Sequence, residues 1–126
     1  MNPALLMAVA LGGGLGAMAR YGLSGWMQSA SGAWFPVGTL LVNIVGSFII
    51  GLVLQLGAGR FLLTPETRLF LTTGFCGGLT TFSTFSWETL RLMEDQQWAA
   101  AGANTALNVA LCFAATWLGV VAGKLV

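Results

Sequence analysis

The chain contains no histidine, and among its 126 residues there are only four acidic and five basic side chains, two cysteines, three prolines and one tyrosine. Each scarcity excludes something. Without histidine the commonest general base is missing, and two cysteines leave no zinc or copper site. Cys76 and Cys112 both lie in apolar runs, so no disulfide framework is indicated. A net charge of +1 offers no clustered basic footprint for nucleic acid. The four acids stand at the ends of apolar stretches or between them, and no carboxylate pair suggests enzymatic acid–base chemistry. Charged residues make up 7% of the chain, against roughly 25% in an ordinary soluble domain.

What is present is apolar: 56% of residues are hydrophobic and the mean hydropathy is +0.83. Crossing about 30 Å of hydrocarbon takes about 20 apolar residues of helix. Four such stretches predict an all-α membrane protein with spans at about 3–27, 37–56, 69–92 and 98–123, one four-helix domain filling residues 1–126. Met1-Asn2-Pro3 lacks the basic region of a secretory signal, so the first span is expected to be retained. Thr64-Pro65-Glu66 reads as a helix cap followed by proline at the first helical position. Trp26, Trp34, Trp87 and Trp98 would gather at one membrane interface, where amphipathic rings settle. Small residues four apart, Ala8-Gly12-Gly16 and Ala115-Gly119-Gly123, let helix backbones approach one another in lipid. Gly14, Gly16 and Ala19 also fit a dinucleotide fingerprint, but no strand precedes them and the segment is a membrane helix. Arg60, Arg68 and Lys124 fall on one side of the membrane, Arg20 and Arg91 on the other. That bias is too small to fix one orientation, and opposite copies could pair as an antiparallel dimer.

Polar groups inside a bilayer are expensive, and they mark functional sites by default. The densest cluster runs from Gly74 to Glu88, Gly-Phe-Cys-Gly-Gly-Leu-Thr-Thr-Phe-Ser-Thr-Phe-Ser-Trp-Glu. Gly77-Gly78 weakens the third span near its middle, each glycine costing about 1 kcal/mol relative to alanine. A broken helix at membrane depth exposes carbonyls and helix ends that can meet ions. Phe82 and Phe85 share one helix face, beside the neighbouring stripes Thr81/Thr84 and Thr80/Ser83. Electropositive ring edges with hydroxyl donors suit an anion better than a cation. Asn43, in the middle of an otherwise apolar second span, adds two amide donors; the alternative reading is a simple link between helices.

These residues resemble the Fluc family of small fluoride channels. The resemblance rests on Gly16-Ala-Met-Ala-Arg20, on Gly38-Thr-Leu-Leu-Val-Asn43 and on the whole of Gly74 to Glu88, across three of four spans. It implies passive, fluoride-selective export across a bacterial inner membrane by an antiparallel, dual-topology homodimer with two pores, each lined by both subunits. It further implies a central structural sodium ion held by the backbone carbonyls of Gly77 and Thr80 from each subunit. Phe82, Phe85 and Asn43 would line the pore, with Thr39, Ser83 and Thr84 as a track of hydroxyls. Glu88 would stand at the end of that track and Arg20 in an aqueous vestibule. The residues alone leave other readings open. Arg20 can snorkel to the headgroups, and Glu88 can cap the span or pair with Arg91 three residues on. Asn104, Asn108 and Cys112 in the fourth span depart from the family's serine-bearing pattern, which leaves their contribution to the pore open. Two other classes compete: a small proton-coupled cation or drug exporter, which would need a buried acid that span one lacks, and a non-conducting accessory subunit.

Overall fold

The computed structural model describes residues 1–59 and 63–126, and these are helical with no strand. Three helices are long and apolar enough to cross a membrane: α1 (Pro3–Ser31), α2 (Val37–Ala58) and α6 (Trp98–Leu125). The remaining span is composite. It starts with α3 (Pro65–Leu69), continues through a π-helical segment (Phe70–Cys76) and a single turn, α4 (Gly77–Leu79), and resumes as α5 (Phe82–Glu94). The expected loop charge Arg60 lies outside the described residues.

Local chemistry explains the boundaries. Asn2 Oδ1 accepts the Ala4 N–H at 2.9 Å and Pro3 opens α1, while Gly32, at φ 60°, ends it in the left-handed conformation that favours glycine. Gln28 then fixes the turn into α2. Its Nε2 donates to the carbonyls of Ala33 (2.7 Å) and Phe35 (3.0 Å), and its Oε1 accepts from Gly38 N (3.2 Å). Thr64 caps α3 as its sequence predicts, accepting the Thr67 N–H at 3.2 Å, with Pro65 at the first helical position.

The two small-residue stripes settle different interfaces. On α1, Gly12 lies against the backbone of Phe70, Gly74 and Phe75, and Gly16 against that of Phe75 and Leu79. A β-carbon at either position would overlap a carbonyl oxygen, so α1 packs directly on the π-helical segment and α4. On α6, Gly119 meets the backbone of Phe48 and Leu52, and Gly51 of α2 meets that of Thr116. That contact makes α2 and α6 the most extensively packed pair. Leu6, Met7, Leu11, Leu15 and Met18 of α1 remain exposed, as do the four interfacial tryptophans. The surface is a lipid-facing one, and the chain is a multi-pass membrane protein.

Candidate functional site

The break in the composite span falls at Thr80-Thr81, not at Gly77-Gly78. Thr80 (φ −85°, ψ 155°) and Thr81 (φ −151°, ψ 109°) are extended, whereas the two glycines are helical. Gly78 is glycine because α1 approaches it: a β-carbon there would strike the Gly13 carbonyl and come within 2.9 Å of Ala17 N. Around Gly77 there is room, the nearest atom being Thr72 O at 4.0 Å.

Asn43 holds the break open. Its Oδ1 accepts the Thr81 N–H at 2.7 Å, and its Nδ2 donates to the Thr81 carbonyl at 3.3 Å and to Asn108 Oδ1 at 3.0 Å. The Thr81 N–H is thereby turned away from the Gly77 carbonyl that a continuous helix would give it. Thr81 Oγ1 in turn caps α5, accepting the Thr84 N–H at 3.1 Å, so that this donor leaves the Thr80 carbonyl. Two main-chain carbonyls are thus released from helical pairing. Oxygen donors of this kind suit a hard cation, and among the described residues no group of three His, Cys, Asp or Glu offers another metal centre. The amide itself is fully used: both Nδ2 hydrogens of Asn43 are spent inside the protein, where two free donors were expected.

Two concavities meet at Thr81. The larger, of about 1000 Å³, is a mainly apolar groove; its walls include Asn43, Gly77, Thr80, Phe82, Phe85 and Asn108. Phe82 and Phe85 are in contact, centroids 5.2 Å apart and planes tilted by 59°. Their settings differ, Phe85 being 8% exposed and Phe82 78%. The smaller concavity, of about 380 Å³, is lined by Arg20, Tyr21, Ser24, Thr39 and Thr84 among others. Thr39 and Thr84 therefore stand across the broken segment from the rings rather than beside them. Ser83 is exposed, 3.3 Å from Thr81 Oγ1, and lines neither space.

Arg20 is half-buried in the smaller space, where it can meet solutes as well as headgroups. Glu88 does not pair with Arg91. Its Oε1 accepts from Thr39 Oγ1 at 2.7 Å, and its buried Oε2 has no hydrogen-bond partner among the described residues. Arg91 bonds Glu94 instead, Nη1 to Oε2 at 2.8 Å, on the exposed side of α5, and lies 5.9 Å above the Trp87 ring. The i,i+3 spacing permitted either partner, and Thr39 on α2 decided it by engaging Glu88.

The fourth span supplies what the sequence reading left unassigned. Asn108 accepts from Asn43 and donates through Nδ2 to Asn104 O (2.9 Å) and Asn104 Oδ1 (3.1 Å). Asn104 Nδ2 donates to Thr89 Oγ1 at 2.9 Å, and Thr89 Oγ1 to the Phe85 carbonyl at 2.8 Å. The spacing of Asn104 and Asn108, four apart on an apolar helix, was the available signal. Thr81, which binds Asn43 and caps α5, carried in the sequence only its place on one stripe with Thr84.

An interrupted helix in an apolar bundle, with a polar amide drawn to the break, defines a membrane protein of the channel or transporter class. Residues 7–120 match the family described as CrcB-like protein, Camphor Resistance (CrcB), and the chain belongs to that family. A protein of Geobacter metallireducens named fluoride-specific ion channel FluC is 49% identical over 119 residues, 94% of this chain and 96% of that one. Similar proteins of the same name occur in Geotalea uraniireducens (48% identical, 94% and 96% covered) and Geobacter sulfurreducens (45%, 94% and 96%).

Proposed function

We propose that this chain is a fluoride-selective channel, not an enzyme, that lets fluoride leave a bacterial cell passively through the inner membrane. The observation that carries the reading is the assembly of Asn43, Thr81, Phe82 and Phe85 at a helix break, in a chain half-identical over nearly its whole length to proteins named for that activity. Fluoride is small and tightly hydrated, so its path must replace water with donors. The tilted phenyl pair offers electropositive edges, and Asn43 offers amide hydrogens, provided the anion can take one from its present partner. Thr39 and Thr84, with Glu88 and Arg20 near them, form the approach from the aqueous side, Arg20 supplying positive charge. Ser83, exposed next to Thr81, belongs to the stretch of hydroxyls between that approach and the rings.

The working unit we propose is an antiparallel homodimer of dual topology with two pores. A groove of about 1000 Å³ that opens beside the exposed Phe82 ring is a pore wall lacking its opposite side, which a second inverted copy would provide. The near-even distribution of positive charge across the membrane supports insertion in both orientations. The carbonyls of Gly77 and Thr80 would hold a sodium ion between the copies, which would add fixed positive charge and join the two chains.

Purified protein in lipid vesicles, read with a fluoride electrode, tests the function. The expected result is rapid fluoride loss without ATP and negligible chloride loss. Vesicles tight to every halide would refute it. Crosslinking that caught every copy pointing the same way would refute the inverted pairing alone.

A further inference from the structure

The closed state of the amide network assigns work to two residues that line neither concavity. Asn104 is 1% exposed, and Thr89 is buried beside it. Neither lines the groove that Asn43, Asn108, Phe82 and Phe85 share. Yet both stand in one directed chain of hydrogen bonds whose ends are main-chain groups. At one end the Thr81 N–H can only donate, so Asn43 must turn Oδ1 to it, leaving Nδ2 for the Thr81 carbonyl and Asn108. At the other end the Phe85 carbonyl can only accept, so the Thr89 hydroxyl donates to it and keeps its oxygen for Asn104 Nδ2. Asn104 must then present Oδ1 and its own carbonyl to Asn108 Nδ2, which leaves Asn108 Oδ1 facing Asn43. Reversing any amide within the chain would set donor against donor.

We infer that Asn104, seated on Thr89, is a positioning residue that holds Asn108 as the resting acceptor for the Asn43 hydrogen which fluoride must take. The inference rests on the channel reading and deepens it. Asn43 has no idle donor at rest, so an arriving anion competes with Asn108 Oδ1 for one Nδ2 hydrogen while the other stays on the Thr81 carbonyl. The firmness of that competitor sets how tightly the anion is held. Without the Asn104 amide, Asn108 Nδ2 keeps only the main-chain carbonyl of residue 104 and loses Oδ1, so Asn108 turns more readily and gives up the hydrogen, whereas Asn43 stays pinned by both main-chain groups of Thr81. Fluoride then binds more tightly and leaves more slowly.

The test is the fluoride concentration giving half-maximal flux through vesicles, a quantity that does not depend on how many copies are active. Asn104→Leu is expected to lower it by about two- to tenfold, the lower part of the range for coupling between bonded neighbours. Thr89→Val should move it the same way by less, Thr89→Ser should restore the wild-type value, and the double variant should match Asn104→Leu alone. A purely structural role would reduce the number of conducting copies and leave half-saturation unmoved. Half-saturation unchanged or raised in variants that run at wild-type size would overturn the inference while the wild-type channel still conducts. Wild-type vesicles that release no fluoride would overturn the channel reading instead. Should Asn104→Leu fail to yield protein of wild-type size, the Thr89→Val and Thr89→Ser pair carries the same comparison with the hydroxyl as the sole variable.

Discussion

Two glycines of α1, two residues apart, provide a matched experiment on what holds the break in place. Gly12→Ala and Gly14→Ala remove the same backbone freedom from the same helix, and each gains about 1 kcal/mol of helix propensity. Their surroundings differ. A β-carbon on Gly14 meets nothing within 4 Å, whereas on Gly12 it overlaps the Phe70 carbonyl oxygen and lies 3.0 Å from Phe75 N and 3.1 Å from Gly74 Cα. Those neighbours are all main chain, so none can move aside as a flexible side chain would. Forcing a methyl into such a contact costs about 1–3 kcal/mol. The propensity gain cancels between the two variants, leaving that cost as their difference. At about 3 °C per kcal/mol for a chain of this size, Gly12→Ala should melt roughly 3–9 °C below Gly14→Ala. Thermal unfolding of the purified variants in one detergent measures it. The displaced backbone lies directly upstream of the break, so Gly12→Ala should also slow fluoride efflux while Gly14→Ala leaves it near wild type. A Gly14→Ala protein that melts at or below Gly12→Ala would refute the packing argument.

Thr81→Val removes the α5 cap and should cost about 1 kcal/mol, with Thr81→Ser close to wild type in the same melting assay. Phe82→Ile or Phe85→Ile should slow fluoride efflux severalfold, a ring-edge contribution on the order of 1 kcal/mol, with protein still eluting at wild-type size. Exchanging sodium for a bulky organic cation in every buffer should lower the melting temperature if the Gly77 and Thr80 carbonyls hold the ion; an unchanged temperature would count against that site. Arg91→Ala should change stability by less than about 0.5 kcal/mol, because its pair with Glu94 is half-exposed on both sides.

What the sequence could and could not convey follows from how far apart the interacting groups lie along the chain. The three long apolar helices and the Thr64-Pro65 cap are local patterns, and each is where hydropathy and capping rules put it. The glycine stripes announced close packing but not the partner, because spacing along one helix carries no information about the surface it meets. The π-helical turn at Phe70–Cys76 left no trace at all: Phe-Leu-Thr-Thr-Gly-Phe-Cys reads as ordinary helix, and its widened backbone goes with the glycines of α1 that press on it. The partner of Glu88 stayed open for the same reason. Arg91 is its near neighbour in sequence, but Thr39, 49 residues away, reaches it on a neighbouring helix.

The polar centre shows the limit most sharply. The sequence singled out Asn43 as a costly residue in an apolar helix and left Asn104 and Asn108 unassigned, and a residue inventory credits each with two donors and an acceptor. Only their arrangement shows that the donors of Asn43 and Asn108 are already committed within the protein. A site described by its residue types would therefore look ready to seize an anion. Described by its bonds, it is a chain in which Asn43 has no idle donor, so that an anion at this amide would have to displace an internal acceptor. Such an exchange would conserve the number of hydrogen bonds on binding, which is what a conducting path requires: an ion coordinated well enough to shed its water, yet released without a deep trap.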